Sequence, residues 1–144
     1  MRIFLDANIL FSAAKSDGAV RRLLVFLQEG RHECWIDGYV LDEARRNLEI
    51  KAPAGLPVLA ALLSRLHLAP FYVADSALAA SLPLVEKDRP VLMAAIHSRC
   101  EVLVTGDQTH FGKLYGKTLH GITVHSPRSV AETFLARDVG RRAK

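Results

Sequence analysis

The sequence is short of cysteine, of aromatic residues and of long apolar runs. Its 144 residues include two cysteines, Cys34 and Cys100, and 7% aromatic residues. The cysteines form no metal-type pair and provide no disulfide framework, and both lie in or beside apolar runs, so we expect buried, reduced thiols. No apolar stretch reaches the roughly 20 residues that cross a bilayer, and no charged-then-apolar leader precedes the first apolar triplet. These absences argue against membrane-spanning and disulfide-stapled classes and predict a cytoplasmic protein without membrane contact.

The overall composition is that of a globular domain with a mildly basic surface. Half of the residues are apolar, 24% are charged, and the net charge is +4. A chain of this length can bury roughly 70% of its unfolded surface in one domain. A charge of this size is common in plain soluble domains. If the acidic residues gather in one place, however, the remaining surface is more basic than the total, which favours a polyanionic partner such as nucleic acid.

Short apolar runs alternate along the chain with segments of helical periodicity. The helices are predicted at residues 18–30, 39–51, 56–66, 76–85 and 88–100, and from Pro127 to about 136 after a cap at Ser126. The strands are predicted at residues 3–5, 33–36, 67–73, 102–104 and 122–124. This alternation predicts a single α/β domain over residues 1–136, with a central parallel sheet of about five short strands flanked by helices. Residues 137–144 are expected to form a basic, frayed tail.

Four acidic residues fall where this architecture brings side chains together. Asp6 ends the first strand, Asp107 follows the fourth, Asp88 heads the helix before the fourth, and Glu43 lies on the helix after the second. Ligands of open parallel sheets bind outside the carboxyl ends of the strands. Carboxylates at such an edge repel one another unless a cation lies between them, and hard divalent cations take oxygen ligands. The arrangement therefore favours a Mg²⁺ or Mn²⁺ site.

Most of these acids also have a simpler structural interpretation. Asp88 alone would serve as a helix N-cap, Asp107 as a turn residue, and either Glu43 or its neighbour Asp42 as a solvated helix acid. Asp6 is different because apolar residues flank it on both sides. An unpaired carboxylate buried there would cost several kcal/mol or take up a proton. The joint occurrence of all four acids favours the metal site over four separate structural roles.

Four motifs, LDANIL, LDEARRNL, DRPVLMAAI and VTGDQTHF, occur in the order seen in PIN-domain nucleases. The sequence resembles most closely the bacterial toxins of toxin–antitoxin pairs, from residue 3 to about 126. This resemblance implies a metal-dependent endoribonuclease that uses one or two Mg²⁺ or Mn²⁺ ions, an antitoxin partner and a homodimer. It also implies residue roles. The catalytic, metal-binding pocket is expected to contain Asp6, Glu43, Asp88 and Asp107, with Asn8 orienting the first loop and Thr105 bonding a carboxylate or a water on the metal.

The sequence departs from this family after Asp107. Many relatives carry a further acid two or three positions later, where this chain has Gln108, Thr109 and His110. We therefore expect a second metal position to be weakly held or filled only with substrate bound. His110 could face the phosphate, although a histidine in a loop is more often a packing residue. RNA contacts are predicted for four basic residues beside the pocket that could equally be solvated surface charges: Arg45, Arg46, Arg89 and Lys113.

Three other functions remain open on the sequence. A phosphatase of the haloacid dehalogenase type also has an Asp after its first strand, but it needs a second acid where this chain has Asn8, and a lysine motif that is missing. A receiver-like signalling domain needs paired acids after the first strand, whereas Asp6 is alone there. A PIN fold without activity, serving as an RNA- or protein-binding module, stays open because the later acid is absent.

Overall fold

The computed structural model describes residues 1–142, which form six strands and eight α-helices. The strands are β1 Arg2–Leu5, β2 Glu33–Ile36, β3 His67–Leu68, β4 Val102–Val104, β5 Thr118–Leu119 and β6 Ile122–His125. The helices are α1 Ala7–Lys15, α2 Ala19–Glu29, α3 Gly38–Lys51, α4 Leu56–Leu63, α5 Ser76–Ser81, α6 Arg89–His97, α7 Gln108–Phe111 and α8 Pro127–Arg142. Short 3₁₀ turns occupy Pro53–Gly55, Glu86–Asp88 and Gly112–Leu114. None of the helices in the described part of the chain is long and apolar enough to cross a membrane.

The six strands form one sheet in the order β3-β2-β1-β4-β6-β5. All neighbours are parallel except β5 and β6, which pair antiparallel. Strand β1 is central, and its residues Ile3, Phe4 and Leu5 are fully buried because helices cover both faces of the sheet. The prediction of an α/β fold with a central, largely parallel sheet is confirmed, with six strands in place of about five.

The order of the strands reverses between β1 and β4, and this creates a crevice at their carboxyl ends. The chain builds β2 and β3 on one side of β1 and then returns to place β4 on the other side. Leu5 pairs with Val104, so that Asp6 and Thr105 follow neighbouring strands at the same level. The Asp6 amide donates to the Val104 carbonyl at 3.0 Å. Such a reversal is where open α/β sheets bind ligands.

Three elements were not anticipated from the sequence, one of which is the four-residue helix α7. Helix α1 begins immediately after Asp6 and buries Ile9, Leu10, Ala13 and Ala14, which lie on one helical face. Strand β5 forms a hairpin with β6 through residues 120 and 121, which both have positive φ, 49° and 82°. Two residues of positive φ match the right-handed twist of the flanking strands in a two-residue hairpin. The usual sequence signal for such a turn is Asn-Gly or Asp-Gly, whereas this chain has His120-Gly121.

Several predicted elements are shorter in the structure, and proline ends two of them. The third strand was predicted to reach residue 73 but stops at Leu68, since Pro70 follows and cannot donate a ladder hydrogen bond. Helix α5 was predicted to reach residue 85 but ends at Ser81, since Pro83 forces Leu82 into an extended conformation. Helices α4 and α6 end three residues before their predicted limits of 66 and 100.

The last helix begins as predicted and continues further than predicted. The Ser129 amide donates to Ser126 Oγ at 3.0 Å, which confirms the cap at Ser126. Helix α8 runs to Arg142, beyond the expected end near residue 136. Residues 143 and 144 of the predicted tail lie outside the described residues, and the division into a domain and a tail stays a prediction.

Both cysteines are buried and unpaired, as the sequence predicted. Burial raises the pKa of the Cys34 and Cys100 thiols to about 12. Thiols of such high pKa carry little thiolate at neutral pH, so neither is suited to nucleophilic chemistry.

Candidate metal centre

A cavity of about 370 Å³ opens at the carboxyl ends of β1 and β4. Its wall includes all four acids predicted for the site and Asn8. The other residues along its wall are Ala7, Phe11, Tyr39, Asn47, Lys51, Lys87, Val91, His110 and Phe111. The fold therefore brings together acids that follow two strands or lie on helical segments. The two that are furthest apart in sequence, Asp6 and Asp107, are separated by 101 residues.

Asp6 is the most deeply placed of these acids, with 8% of its surface exposed. It is the N-cap of α1, and its Oδ1 accepts from the Ala7 amide at 2.7 Å. Its Oδ2 accepts from Thr105 Oγ1 at 2.8 Å and from Asn8 Nδ2 at 3.3 Å. Burial raises the pKa of the Asp6 carboxyl, although these three hydrogen bonds oppose the rise, and the charge of Asp107 adds to it. Asp6 is thus held in one orientation at a cost in desolvation.

Asn8 and Thr105 link the two strand ends on either side of the cavity. Thr105 is fully buried, and its hydroxyl accepts from Asn8 Nδ2 at 3.3 Å and from the Asp107 amide at 3.2 Å. Asn8 Oδ1 accepts from the Gly106 amide at 2.8 Å. The two residues proposed as supports therefore contact both Asp6 and the loop that carries Asp107. Thr105 was expected to bond either a carboxylate or a water on the metal, and its hydroxyl donates to the Asp6 carboxylate.

Glu43 points into the cavity from the middle of α3, whereas its neighbour Asp42 does not line it. Burial raises the pKa of the Glu43 carboxyl, and the charges of Asp6, Asp88 and Asp107 raise it further against the opposing effect of Arg46. Asp42 is exposed and lies 3.6 Å from Arg45 in an ion pair. The ambiguity between these two acids is therefore resolved in favour of Glu43 as the residue that faces the other carboxylates.

Asp88 occupies the N-cap position of α6 without acting as a cap. It ends a 3₁₀ turn with φ −96° and ψ −12°, and its side chain makes no capping hydrogen bond to the described residues of α6. The half-buried carboxylate lines the cavity instead. The simple capping interpretation of this residue does not account for its geometry.

Asp107 is paired with a histidine. It caps α7, where Oδ1 accepts from the His110 amide at 3.1 Å and Oδ2 lies 2.7 Å from His110 Nδ1. Burial alone would raise the pKa of Asp107, but the hydrogen bonds and charge of His110 outweigh it and hold the pKa below its usual value. One ligand atom from each of Asp88, Asp107 and His110 can be chosen so that all three lie within 4.8 Å of one another. The sequence analysis favoured a packing role for His110 over a phosphate contact, although the spacing of three residues from Asp107 places both on one helical turn.

Four further polar residues line the wall, and the three on α3 were not predicted. Three of them lie on α3 and, together with Glu43, form a series spaced by four residues: Tyr39, Glu43, Asn47 and Lys51. All four side chains therefore lie on the same face of the helix. This periodicity was the available signal, because residues four apart on a helix are neighbours. Lys87 precedes Asp88 in the 3₁₀ turn and adds a second ammonium group to the wall.

The four basic residues predicted to bind RNA lie outside the cavity wall. Arg45 and Arg46 border a separate depression with Tyr39 and Asp42. Arg89 is half-buried, and its Nε donates to the Leu84 carbonyl at 3.0 Å, which ties down the preceding turn. Lys113 is exposed beyond α7. Arg46 is electrostatically linked to the site, since it lowers the pKa of Glu43.

The donors of the cavity fit a hard divalent cation. Four carboxylates and two carboxamides offer oxygen atoms, and an imidazole offers nitrogen. Mg²⁺ and Mn²⁺ are bound in proteins by carboxylate oxygens and water. Burial first, and the charges of neighbouring acids after it, raise the pKa of Asp6 and Glu43, and a cation among these carboxylates would favour their charged forms.

Comparison with known proteins gives a consistent result. A family model described as PIN domain matches residues 2–109, which is three quarters of the chain. The fold is similar to a crystal structure described as VapBC2 from Rickettsia felis bound to a DNA fragment from their promoter, with a TM-score of 0.66 and 19% identity over 88% of this chain and 98% of that one. No curated protein sequence matches the chain. At 19% identity the structural likeness is one of fold.

Proposed function

The chain belongs to the PIN-domain family, and from this premise we propose that it is a divalent-metal-dependent endoribonuclease and the toxin of a toxin–antitoxin pair. The observation that carries the proposal is the gathering of Asp6, Glu43, Asp88 and Asp107 on one cavity at the switch point of the sheet. Four carboxylates repel a phosphate unless a cation accompanies them. A divalent cation bound in this cavity would offset the negative charge of the carboxylates, so that the cavity could bind a phosphodiester.

Each residue of the cavity has a distinct part in this proposal. Asp6 and Asp107 are the primary ligands, since they stand at the ends of the two central strands, and Asp88 and Glu43 complete the set directly or through water. When bound, one or two divalent ions would activate the attacking water and neutralise the charge that develops on the phosphate. Glu43 is suited to accept a proton from that water, because it faces the other carboxylates across the cavity from α3.

Asn8 and Thr105 act as positioning residues. Thr105 and Asn8 both donate to Asp6 Oδ2, at 2.8 Å and 3.3 Å, and so fix its orientation. Thr105 also accepts from the Asp107 amide and Asn8 from the Gly106 amide, which fixes the opposite loop. Asn8 stands two residues after Asp6, where a haloacid dehalogenase-type phosphatase needs an acid. Here its carboxamide bridges the two loops, which argues for the nuclease over the phosphatase.

RNA binding is supported by the distribution of charge. Four acids are collected in one cavity, so the remaining surface carries more positive charge than the net +4 of the chain. Lys51 and Lys87 on the wall, and Arg46 beside it, are placed to contact phosphates that flank the scissile bond. Contacts of this kind are independent of sequence and weaken with salt.

The toxin role implies a partner that closes the cavity. A segment of an antitoxin that places a basic side chain among the carboxylates would occupy the position of the cation and block the substrate. The structural likeness to VapBC2 and the resemblance of the four motifs support this part of the proposal. Coexpression with the product of the adjacent gene should abolish RNA cleavage and yield a stable complex.

The decisive experiment is cleavage of single-stranded RNA by the purified protein in Mg²⁺, in Mn²⁺ and in EDTA. We expect cleavage with a divalent ion, none in EDTA, and a loss of about 100-fold or more in Asp6→Asn, Asp107→Asn and Glu43→Gln. Asp42→Asn is the matched control, because it removes an adjacent acid of α3 that does not line the cavity. Cleavage that persists in EDTA would overturn the proposal. Equal losses in Asp42→Asn and Glu43→Gln would remove its structural basis, and phosphate release from small esters with RNA left intact would indicate a phosphatase.

A further inference from the structure

The pairing of Asp107 with His110 has a consequence for which ion the cavity holds. His110 lies three residues after Asp107, on the short helix that Asp107 caps. The structure directs this imidazole to the cavity wall, 2.7 Å from Asp107 Oδ2. The imidazole therefore adds a nitrogen donor to the oxygen donors of the four acids.

The geometry of these side chains suits a single ion. Asp88 has no capping bond to the described residues of α6, and ligand atoms of Asp88, Asp107 and His110 lie within 4.8 Å of one another. A six-coordinate ion with bonds of about 2.1 Å holds neighbouring ligand atoms about 3 Å apart and opposite ones about 4.2 Å apart. His110 Nδ1 and Asp107 Oδ2 share a proton in their 2.7 Å hydrogen bond, and binding of an ion would release that proton to solvent and free both atoms to act as ligands. The proximity of the three side chains allows each to offer one ligand atom to the same ion.

The nature of the donors then selects the ion. Mg²⁺ binds oxygen ligands and gives up its water reluctantly, so an imidazole is a poor ligand for it. Mn²⁺ accepts carboxylates as Mg²⁺ does, and as a first-row transition ion it also binds imidazole nitrogen. We propose that Asp88, Asp107 and His110 form a mixed carboxylate–imidazole position that makes the cavity selective for Mn²⁺ over Mg²⁺. This inference rests on the proposed function only in assuming that the cavity holds a divalent ion.

The test is direct titration of the purified full-length chain with Mn²⁺ and with Mg²⁺. Calorimetry gives both affinities, and the loss of the free-ion electron paramagnetic resonance signal counts bound Mn²⁺ independently of activity. We expect Mn²⁺ to bind at least about tenfold more tightly than Mg²⁺, and His110→Ala to lower the Mn²⁺ affinity by about 10- to 100-fold with little change for Mg²⁺. His110→Asp, which exchanges the nitrogen ligand for a carboxylate, should raise Mg²⁺ affinity and remove the preference.

Two controls keep the result interpretable. His120→Asn removes an exposed histidine outside the cavity at a position of positive φ that asparagine tolerates, and it should leave both affinities unchanged. Thermal unfolding in EDTA verifies that each variant is folded, and the His110 amide that donates to Asp107 is retained in every variant at that position.

The outcomes separate this inference from the proposed function. Equal affinity for both ions, or a Mn²⁺ preference that survives in His110→Ala and His110→Asp, overturns the inference and leaves a metal-dependent nuclease intact. Binding of neither ion by the unmodified protein overturns the proposed function together with the inference. Loss of the preference in both His110 variants, and not in His120→Asn, supports it.

Discussion

Removal of the Thr105 hydroxyl should destabilise the metal-free protein and misplace Asp6. Thr105 is fully buried, and its Oγ1 donates to Asp6 Oδ2 at 2.8 Å while accepting from Asn8 Nδ2 and the Asp107 amide. Thr105→Val keeps the shape of the side chain and removes all three bonds. Because Asp6 is 8% exposed, water cannot replace the lost donor without a change in packing.

The size of the effect follows from the kind of bond that is lost. A hydrogen bond to a charged group contributes about 1.5–3 kcal/mol, and a buried acceptor left without its donor bears the full cost of desolvation. With the weaker amide contact at 3.2 Å included, we expect the free energy of unfolding to fall by about 2–3 kcal/mol. For a domain of this size, that corresponds to a decrease in Tm of about 6–12 °C. Since the bond from Thr105 opposes the raised pKa of Asp6, the variant should raise that pKa further.

Urea denaturation and thermal unfolding in EDTA measure this effect. Thr105→Ser is the matched control, because it keeps the hydroxyl and loses one methyl group at a cost of about 1 kcal/mol. A double-mutant cycle with Asp6→Asn isolates the pair and should give a coupling energy of about 1 kcal/mol or more. The reasoning is refuted if Thr105→Val is as stable as Thr105→Ser, or if the cycle shows no coupling.

Two other changes test separate parts of the structure. Burial raises the pKa of Asp6 above its ordinary value of 3.8, so the folded protein holds this proton more tightly than the unfolded chain. In EDTA the stability of the wild type relative to Asp6→Asn should therefore be highest below about pH 4 and fall as the pH rises through the folded pKa. Urea titrations at several pH values that show the opposite slope would contradict this prediction. Gly55→Ala should lower stability by about 1–3 kcal/mol, because the added Cβ would lie 2.9 Å from Leu48 Cδ2 and 3.0 Å from the Ala14 carbonyl oxygen; an unchanged Tm would show that α1 and α3 can move apart at this contact.

The alternation of apolar runs and helical segments was enough to predict the fold class, but not every element. The buried strands at residues 2–5 and 102–104 were recognisable because both faces of a central parallel strand are apolar. Helix α1 was missed, although Asp6 is a good N-cap residue and Ile9, Leu10 and Ala13 follow at helical spacing. The apolar residues on both sides of Asp6 looked like one interrupted strand, and only the tertiary structure shows that the chain changes from strand to helix at the acid.

The four acids were predictable because each lies next to a recognisable element boundary or periodic helix. The residues that surround the four acids were harder to predict. His110 lies two residues beyond the Gln108 that begins α7, and α7 is a four-residue helix with no periodic pattern of its own. Lys51 is eight residues from Glu43 along α3, and helical periodicity alone does not tell whether the face they share lines a cavity or meets solvent. Hydrogen bonds across 97 or more residues, such as those of Thr105 with Asn8 and Asp6, cannot be seen in a linear pattern.

The electrostatic balance of the cavity links folding to function. Asp6 and Asp88 stand at the N-terminal ends of α1 and α6, where the partial positive charge of a helix favours a carboxylate. These helix ends do not neutralise the cluster, because the pKa values of Asp6 and Glu43 are raised by burial and by the other acids. Under the proposed function a divalent ion would supply the missing charge, so its binding should stabilise the fold and reverse the sign of the cavity toward phosphate at the same time. Under the proposed function, the same desolvated carboxylates that cost stability in the metal-free protein are the groups that make RNA cleavage depend on the ion.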